Sequence, residues 1–209
     1  MPKANQELNV YLKGQRIKPD PNPVYLGVTL DRSLTYHEHL KKTAAKVSTR
    51  NNLLCKLAGT SWGASAQTLK TTALALCYST AEYCSPVWSR SSHTRLVDVQ
   101  LNTSMRTITG ALRPTPVPWL PVLSNIPPPH LRRREATAKL LAKVRADVRI
   151  PLNVDITSHP TARLPSRHPI WLDPPPEDWS ATSAWSAEWS TGDAVNRSLV
   201  AEPSARPPG

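Results

Sequence analysis

The sequence has no apolar run of about 18 residues, so nothing in it reads as a membrane-spanning helix. It also has no apolar amino-terminal stretch with a basic flank of the kind a secretory leader needs. Cysteine is scarce. Cys55, Cys77 and Cys84 make an odd three without the spacing of a zinc site. Cys77 and Cys84, seven apart on a predicted helix, lie about 10 Å apart along its axis, too far for a disulfide. They read as free thiols in a reducing compartment, or simply as buried small hydrophobes. The expectation is a soluble intracellular chain, nuclear or cytoplasmic, or a piece of a larger one.

Signatures of catalysis are missing too. There is no glycine-rich phosphate loop, nucleophile elbow or zinc motif. The acids of the first 150 residues, Glu7, Asp20, Asp31, Glu38, Glu82, Asp98, Glu135 and Asp147, stand singly, with no adjacent pair suited to two-metal phosphoryl transfer. In His37-Glu38-His39 the two imidazoles are two positions apart on a predicted helix and point in different directions. The triplet reads as a polar first turn in which Glu38 favours the helix dipole. No metal site and no activity are expected of this chain alone.

What is present is proline and positive charge, both unevenly placed. Hydrophobic residues make up 39%, below the usual ~45–50%, so only part of the chain is expected to pack well. Of the 22 prolines, 17 lie from Pro114 onward. Proline cannot propagate helices or donate to ladders, so residues 151–209 read as an irregular tail. Residues 1–150 hold 22 of the 26 Lys and Arg and 8 of the 15 acids, a surplus of 14 positive charges, while residues 151–209 carry a surplus of three negative ones. A folded basic unit most often faces a polyanion, nucleic acid before membrane.

The pattern along the chain predicts a mainly α fold with a small β segment at its start, divided into residues 1–31, 32–150 and 151–209. Leu8 to Lys13 and Arg16 to Pro19 flank Gly14-Gln15, a pair that suits a type II′ hairpin. Val24 to Asp31 reads as a strand around Gly27, where a missing side chain marks a bulge or the close approach of another backbone or ligand. A helix follows from Tyr36 to Ala58, with Leu40, Ala44, Val47, Leu54 and Ala58 on one face and Gly59 as its C-terminal cap. The other faces carry Lys41, Lys42, Lys46, Arg50 and Lys56. A second helix, apolar nearly all round through Leu69, Ala73, Leu76, Cys77 and Tyr83, is stopped by Pro86 and belongs at the centre of a bundle. A third runs from a Ser92 cap to Gly110 with Leu96, Val99, Thr103 and Met105 to Ile108 inward. After a proline-stiffened loop, a fourth spans Pro128 to about Ile150 with Leu131, Ala138, Leu141, Val144 and Val148 on or near one stripe. In the tail, Trp179, Trp185 and Trp189 suggest a short amphipathic helix that needs a partner surface.

The run Arg132 to Arg134 has two readings, a solvated helix face or a contact with nucleic-acid backbone. The one-sided basic surplus on two separate helices favours the second.

Taken in order, Tyr25-Leu26-Gly27, Leu30-Asp31, His39, Trp62-Gly63, Tyr83-Cys84, Pro86-Val87-Trp88, Met105-Arg106, Gly110 and Arg113 resemble the region just downstream of the polymerase palm in jockey-type reverse transcriptases of non-LTR retrotransposons. The likeness covers roughly Leu8 to Ala136. It implies that the hairpin and Tyr25-Leu26-Gly27 correspond to the palm edge and primer grip, and that the helices form a thumb-like bundle clasping an RNA/DNA template-primer duplex. The resemblance places the catalytic aspartates and their Mg²⁺ in a palm that this chain does not contain, since it has no Ala-Asp-Asp type box. The chain then reads as a fragment of an RNA-directed DNA polymerase of a transposable element, without cofactor of its own and partnered by the rest of the polymerase. Lys41, Lys42, Lys46 and Arg50 are the first expected phosphate contacts, Arg132, Arg133 and Arg134 the second. The alternative is a non-catalytic helical scaffold engaging acidic proteins, or the inactive product of a degenerate element.

Overall fold

The computed structural model describes residues 9–59, 63–158, 176 and 179–191. Trp62, much of the proline-rich tail and the chain's last residues, each given a reading above, lie outside them. The fold is mainly helical, with two small hairpins at its start.

β1 (Val10–Leu12) pairs with β2 (Gln15–Ile17), Leu12 opposite Gln15, which leaves Lys13-Gly14 as the two-residue loop. Both loop residues have positive φ, 48° and 78°. This is a type I′ turn, one residue earlier than the expected type II′, and its backbone twist matches that of the strands it joins. β3 (Val24–Tyr25) and β4 (Val28–Thr29) repeat the solution, with Leu26 at φ 46° and Gly27 at φ 81°. Gly27 therefore lies in a turn, not inside a strand. A Cβ there would meet Cε1 of Tyr83 at 3.2 Å, so the close approach anticipated at this glycine is made by an aromatic ring of the same chain.

α1 (His37–Leu57) starts after a tight loop organised by Asp31. The Asp31 carboxylate accepts from the backbone N–H groups of Ser33, Thr35 and Tyr36 and from the Thr35 hydroxyl. Burial raises its pKa and these bonds lower it; the bonds prevail and hold the group below the usual carboxylate range. α1 buries Leu40, Thr43, Val47, Asn51 and Leu54, at spacings of three and four. Ala44 and Ala58 sit at the edge of that face. Gly59 does not take the left-handed conformation of a cap; the last turn closes instead through Ala58 N–H on the carbonyls of Leu54 and Cys55.

α2 (Ala66–Ala73) begins under Ser65, whose Oγ accepts the Thr68 N–H at 3.2 Å. It continues through a π-helical turn, Leu74–Tyr78, into α3 (Ser79–Ala81). Leu69, Ala73, Cys77, Tyr78 and Ala81 are buried, as a central helix requires, but Leu76 and Tyr83 lie on the outside. Pro86 does not stop this helix. The chain has already turned at Cys84, φ 52°, and Pro86 sits in the first turn of α4 (Ser85–Trp88), where its missing N–H costs nothing.

α5 (Arg95–Thr109) buries Val97, Leu101, Ser104, Met105 and Ile108, whereas Leu96, Val99 and Thr103 face outward. Met105 and Ile108 lie inward as expected, while the first half of the stripe falls on Val97, Leu101 and Ser104 instead of Leu96, Val99 and Thr103. Gly110, φ 66°, ends the helix as anticipated; Thr94, not Ser92, is at its start. The core formed by α1 to α5 is one cluster that includes Leu40, Val47, Leu54, Cys77, Tyr78, Trp88, Val97 and Leu101.

The proline-stiffened loop contains a short helix, α6 (Trp119–Ser124). Beyond it lie α7 (Pro129–Ala146), α8 (Leu152–Ser158) and α9 (Ala181–Thr191). Val148, expected on the α7 stripe, is outside the helix and exposed. α8 rests on Leu141 and Val144 through Ile156. α9 packs Ala181, Trp185 and Trp189 on Val122 of α6 and Leu131 of α7, so the surface that the tryptophans needed is the basic bundle itself.

Candidate nucleic-acid interface

α1 contains one acid, Glu38, which lies beside His37 at 3.1 Å. On its solvent side Lys42, Lys46, Thr49, Leu53 and Lys56 follow one stripe and are all exposed. The stripe is about 21 Å long at ~1.5 Å per residue. Lys41 is exposed about 100° to one side of Lys42. Lys42 Nζ donates to Thr29 Oγ1 at 3.3 Å. An ammonium has three donors, so this bond anchors the side chain and leaves it able to meet an anion.

Arg50 departs from the expected role. Its Nη1 donates to the Leu76 carbonyl at 2.5 Å. Within the π turn the Ser79 N–H reaches back to the carbonyl of Leu74, five residues earlier, and the Leu76 carbonyl is met by side chains, Arg50 and the Thr80 hydroxyl. Arg50 therefore serves the helix pair. Lys56 takes its place on the stripe; its position three turns beyond Lys46 was legible as a helical repeat.

The arginines of α7 divide in the same way. Arg132 donates through Nε and Nη2 to the Glu82 carboxylate at 2.5 and 2.9 Å, and its guanidinium lies 5.1 Å from the centre of the Tyr78 ring. Burial pushes the Tyr78 phenol well above its ordinary range. Arg133 pairs through Nη1 and Nη2 with both oxygens of Asp98 and lies over the Trp88 ring at 5.8 Å; its side chain is only 6% exposed. These two residues are corrections to the sequence reading. A helix that packs on a core with two carboxylates facing it turns its arginines inward, because a bidentate pair satisfies both the fork and the acid. Arg134 is exposed, with its guanidinium 5.3 Å from the Trp179 ring centre. Farther along α7, Lys139 pairs with Glu135 at 2.7 Å, and Lys143 and Arg145 are exposed.

The two long basic helices do not lie side by side. α1 packs mainly on α5, α2 and α3, while α7 packs on α4, α8 and α9. A shared channel between them is thus replaced by a single lysine stripe on α1.

The turn Tyr25-Leu26-Gly27, likened to a primer grip, projects with Tyr25 and Leu26 68% and 73% exposed. It is held from two directions. The Tyr83 hydroxyl donates to the Leu26 carbonyl at 2.9 Å. The Thr29 N–H donates to Nδ1 of the buried His39 at 3.3 Å. Burial, then Lys46 and Lys42, hold the His39 pKa below its ordinary value, which favours the neutral ring that this bond requires. The second hairpin is thereby fixed against the amino-terminal half of the lysine stripe.

Among the described residues no group of three or more His, Cys, Asp and Glu is arranged to hold a metal ion. The carboxylates are engaged singly: Glu82 and Asp98 by arginines, Asp147 by Arg149, Asp31 by backbone. No helix among these residues is long and apolar enough to cross a membrane. Cys55, Cys77 and Cys84 are free thiols. Compared with known proteins, the chain matches no family model, no curated protein and no solved structure.

Proposed function

We propose that this chain binds the backbone of a nucleic-acid duplex through α1, as the thumb-like portion of an RNA-directed DNA polymerase of a non-LTR retrotransposon. The observation that carries the binding is the stripe of Lys42, Lys46 and Lys56, exposed on a helix whose lone acid lies at its first turn. A row of ammonium groups about 21 Å long reads phosphates and not bases, because it offers point charges without a planar fork to fit base edges. The polymerase assignment rests on the ordered motifs of the sequence, and the chemistry of synthesis belongs to residues outside this chain.

Fluorescence anisotropy with a labelled RNA–DNA duplex tests the reading. Binding at 50 mM salt that falls steeply by 200 mM is expected, and the triple substitution K42A/K46A/K56A lowers the salt slope by about two to three. Absence of binding at 50 mM salt overturns it. The second reading, a scaffold for acidic proteins, is favoured by the same lysines; it gains if polyglutamate binds the chain and the duplex does not.

A further inference from the structure

His130 and Arg134 are four residues apart in the first turns of α7 and share one face of it. The α9 segment meets both. Glu188 Oε2 lies 3.4 Å from His130 Nε2, and the Trp179 ring lies 5.3 Å from the Arg134 guanidinium. A carboxylate beside a cation-capable imidazole and a flat π system on a guanidinium reproduce the two elements of a nucleotide, phosphate and base.

We propose that His130 and Arg134 form a subsite for one nucleotide of a bound strand, and that residues 179–191, α9 with the Trp179 that precedes it, occupy this subsite in the absence of nucleic acid, with Glu188 in place of phosphate and Trp179 in place of base. The inference rests on the reading that the chain binds nucleic acid. The Glu188 contact is exchangeable because it does not hold α9 in place, and Trp179 lies only at the partly buried edge of the apolar cluster. The anchors of α9 are Ala181, Trp185 and Trp189, buried on Val122 and Leu131, while His130 and Glu188 are both more than half exposed. Charge agrees: the segment from residue 151 carries a surplus of three acids, against a surplus of 14 cations before it.

The test compares full-length chains on the same labelled RNA–DNA duplex. W179A/E188Q removes both of these contacts and leaves Trp185 and Trp189 in place, with unchanged helical circular dichroism as the control. It is expected to bind about three- to tenfold tighter at 50 mM salt, with a salt slope steeper by about one. Adding R134A abolishes that gain. Equal affinity of W179A/E188Q and the intact chain, or a gain that survives R134A, overturns the subsite. If the intact chain binds and K42A/K46A/K56A weakens it while W179A/E188Q changes nothing, only the subsite falls. If no variant binds, the reading of the whole chain falls with it. Binding that is seen only for W179A/E188Q supports a complete cover.

Discussion

The Ser104 hydroxyl donates to the side-chain oxygen of Asn51 at 2.6 Å, in the middle of an otherwise apolar three-helix core. Asn51 Nδ2 in turn donates to the Gln100 carbonyl at 2.9 Å, and Cys77 Sγ donates to the same Asn51 oxygen at 3.4 Å. One amide thus binds α1 to α5 and to the π turn between α2 and α3. A hydrogen-bonded group at such a junction fixes which residues face each other, as apolar contacts alone do not.

Replacing Asn51 by leucine leaves the Ser104 hydroxyl without this acceptor and the Gln100 carbonyl without its side-chain donor. The expected loss is about 2–3 kcal/mol. Urea unfolding monitored by circular dichroism measures it, and a loss below about 0.5 kcal/mol counts against Asn51 as the junction.

The Arg133 pair offers a contrast between breaking and replacing. Arg133→Ala strands Asp98 beside the core and is expected to cost about 2–4 kcal/mol, while the double variant R133M/D98L recovers most of that loss. A double variant as unstable as the single one shows that Arg133 acts by packing on Trp88 and not by its charge.

His39 predicts a dependence on pH. Its folded pKa lies below the ordinary 6.5, so the unfolded chain takes up the proton first. The contribution of the neutral ring is intact above about pH 6.5 and is lost as pH falls through the folded value. The charged groups near it are Lys42 and Lys46 on its own helix, and Trp88 of α4 packs 6.4 Å away; none of these offers the imidazolium an acid. Thermal unfolding between pH 7.5 and 5 should show a falling Tm in the parent. His39→Gln, whose amide oxygen can accept the Thr29 N–H without titrating, should flatten that slope.

Gly27→Ala tests the turn. Its φ of 81° disfavours any L side chain, and the new methyl meets the Tyr83 ring at 3.2 Å. A cost of about 1–2 kcal/mol is expected, confined to the hairpin and read as faster amide exchange at Val28 and Thr29. Tyr83→Phe, which removes the bond to the Leu26 carbonyl, should loosen the same amides with a smaller effect on the whole.

Trp185→Ala tests the docking of α9. An 11-residue helix is marginal in water, so its order depends on the surface it covers. Loss of the indole, 4% exposed, should release α9 and shift tryptophan emission to the red, with the unfolding of α1 to α5 unchanged.

The helices and their mainly α arrangement were legible because spacings of three and four recur in α1, and because glycine at Gly110 ends α5 by a local rule. The displaced first half of the α5 stripe was not. Val97 with Leu101, and Leu96 with Val99, offer two apolar faces of similar quality, and the choice between them is made by α1 and α2, which are distant in sequence. The register of the first hairpin was off for a related reason, since Gly14 suits either position of a two-residue loop until strand pairing selects one, and the second hairpin was read as a single strand around Gly27.

The candidate interface was legible in part. Lys41, Lys42 and Lys46 are exposed as expected, since a lysine on an outward stripe needs no partner. Arg50, Arg132 and Arg133 carry the same formal charge but answer to a carbonyl, Glu82 and Asp98. Those partners are 26, 50 and 35 residues away, and no local pattern announces them.

The turn at Leu74–Tyr78 is in effect a one-residue insertion accommodated within a continuous rod. Everything after it is rotated by about 100° relative to an uninterrupted α-helix. Glu82, Ser85 and Trp88 therefore address α7 and α1 from an angle set upstream of them. A shortened variant lacking one of those five residues would form smoother backbone and a worse protein, with Glu82 swung away from Arg132 and the Leu76 carbonyl withdrawn from Arg50.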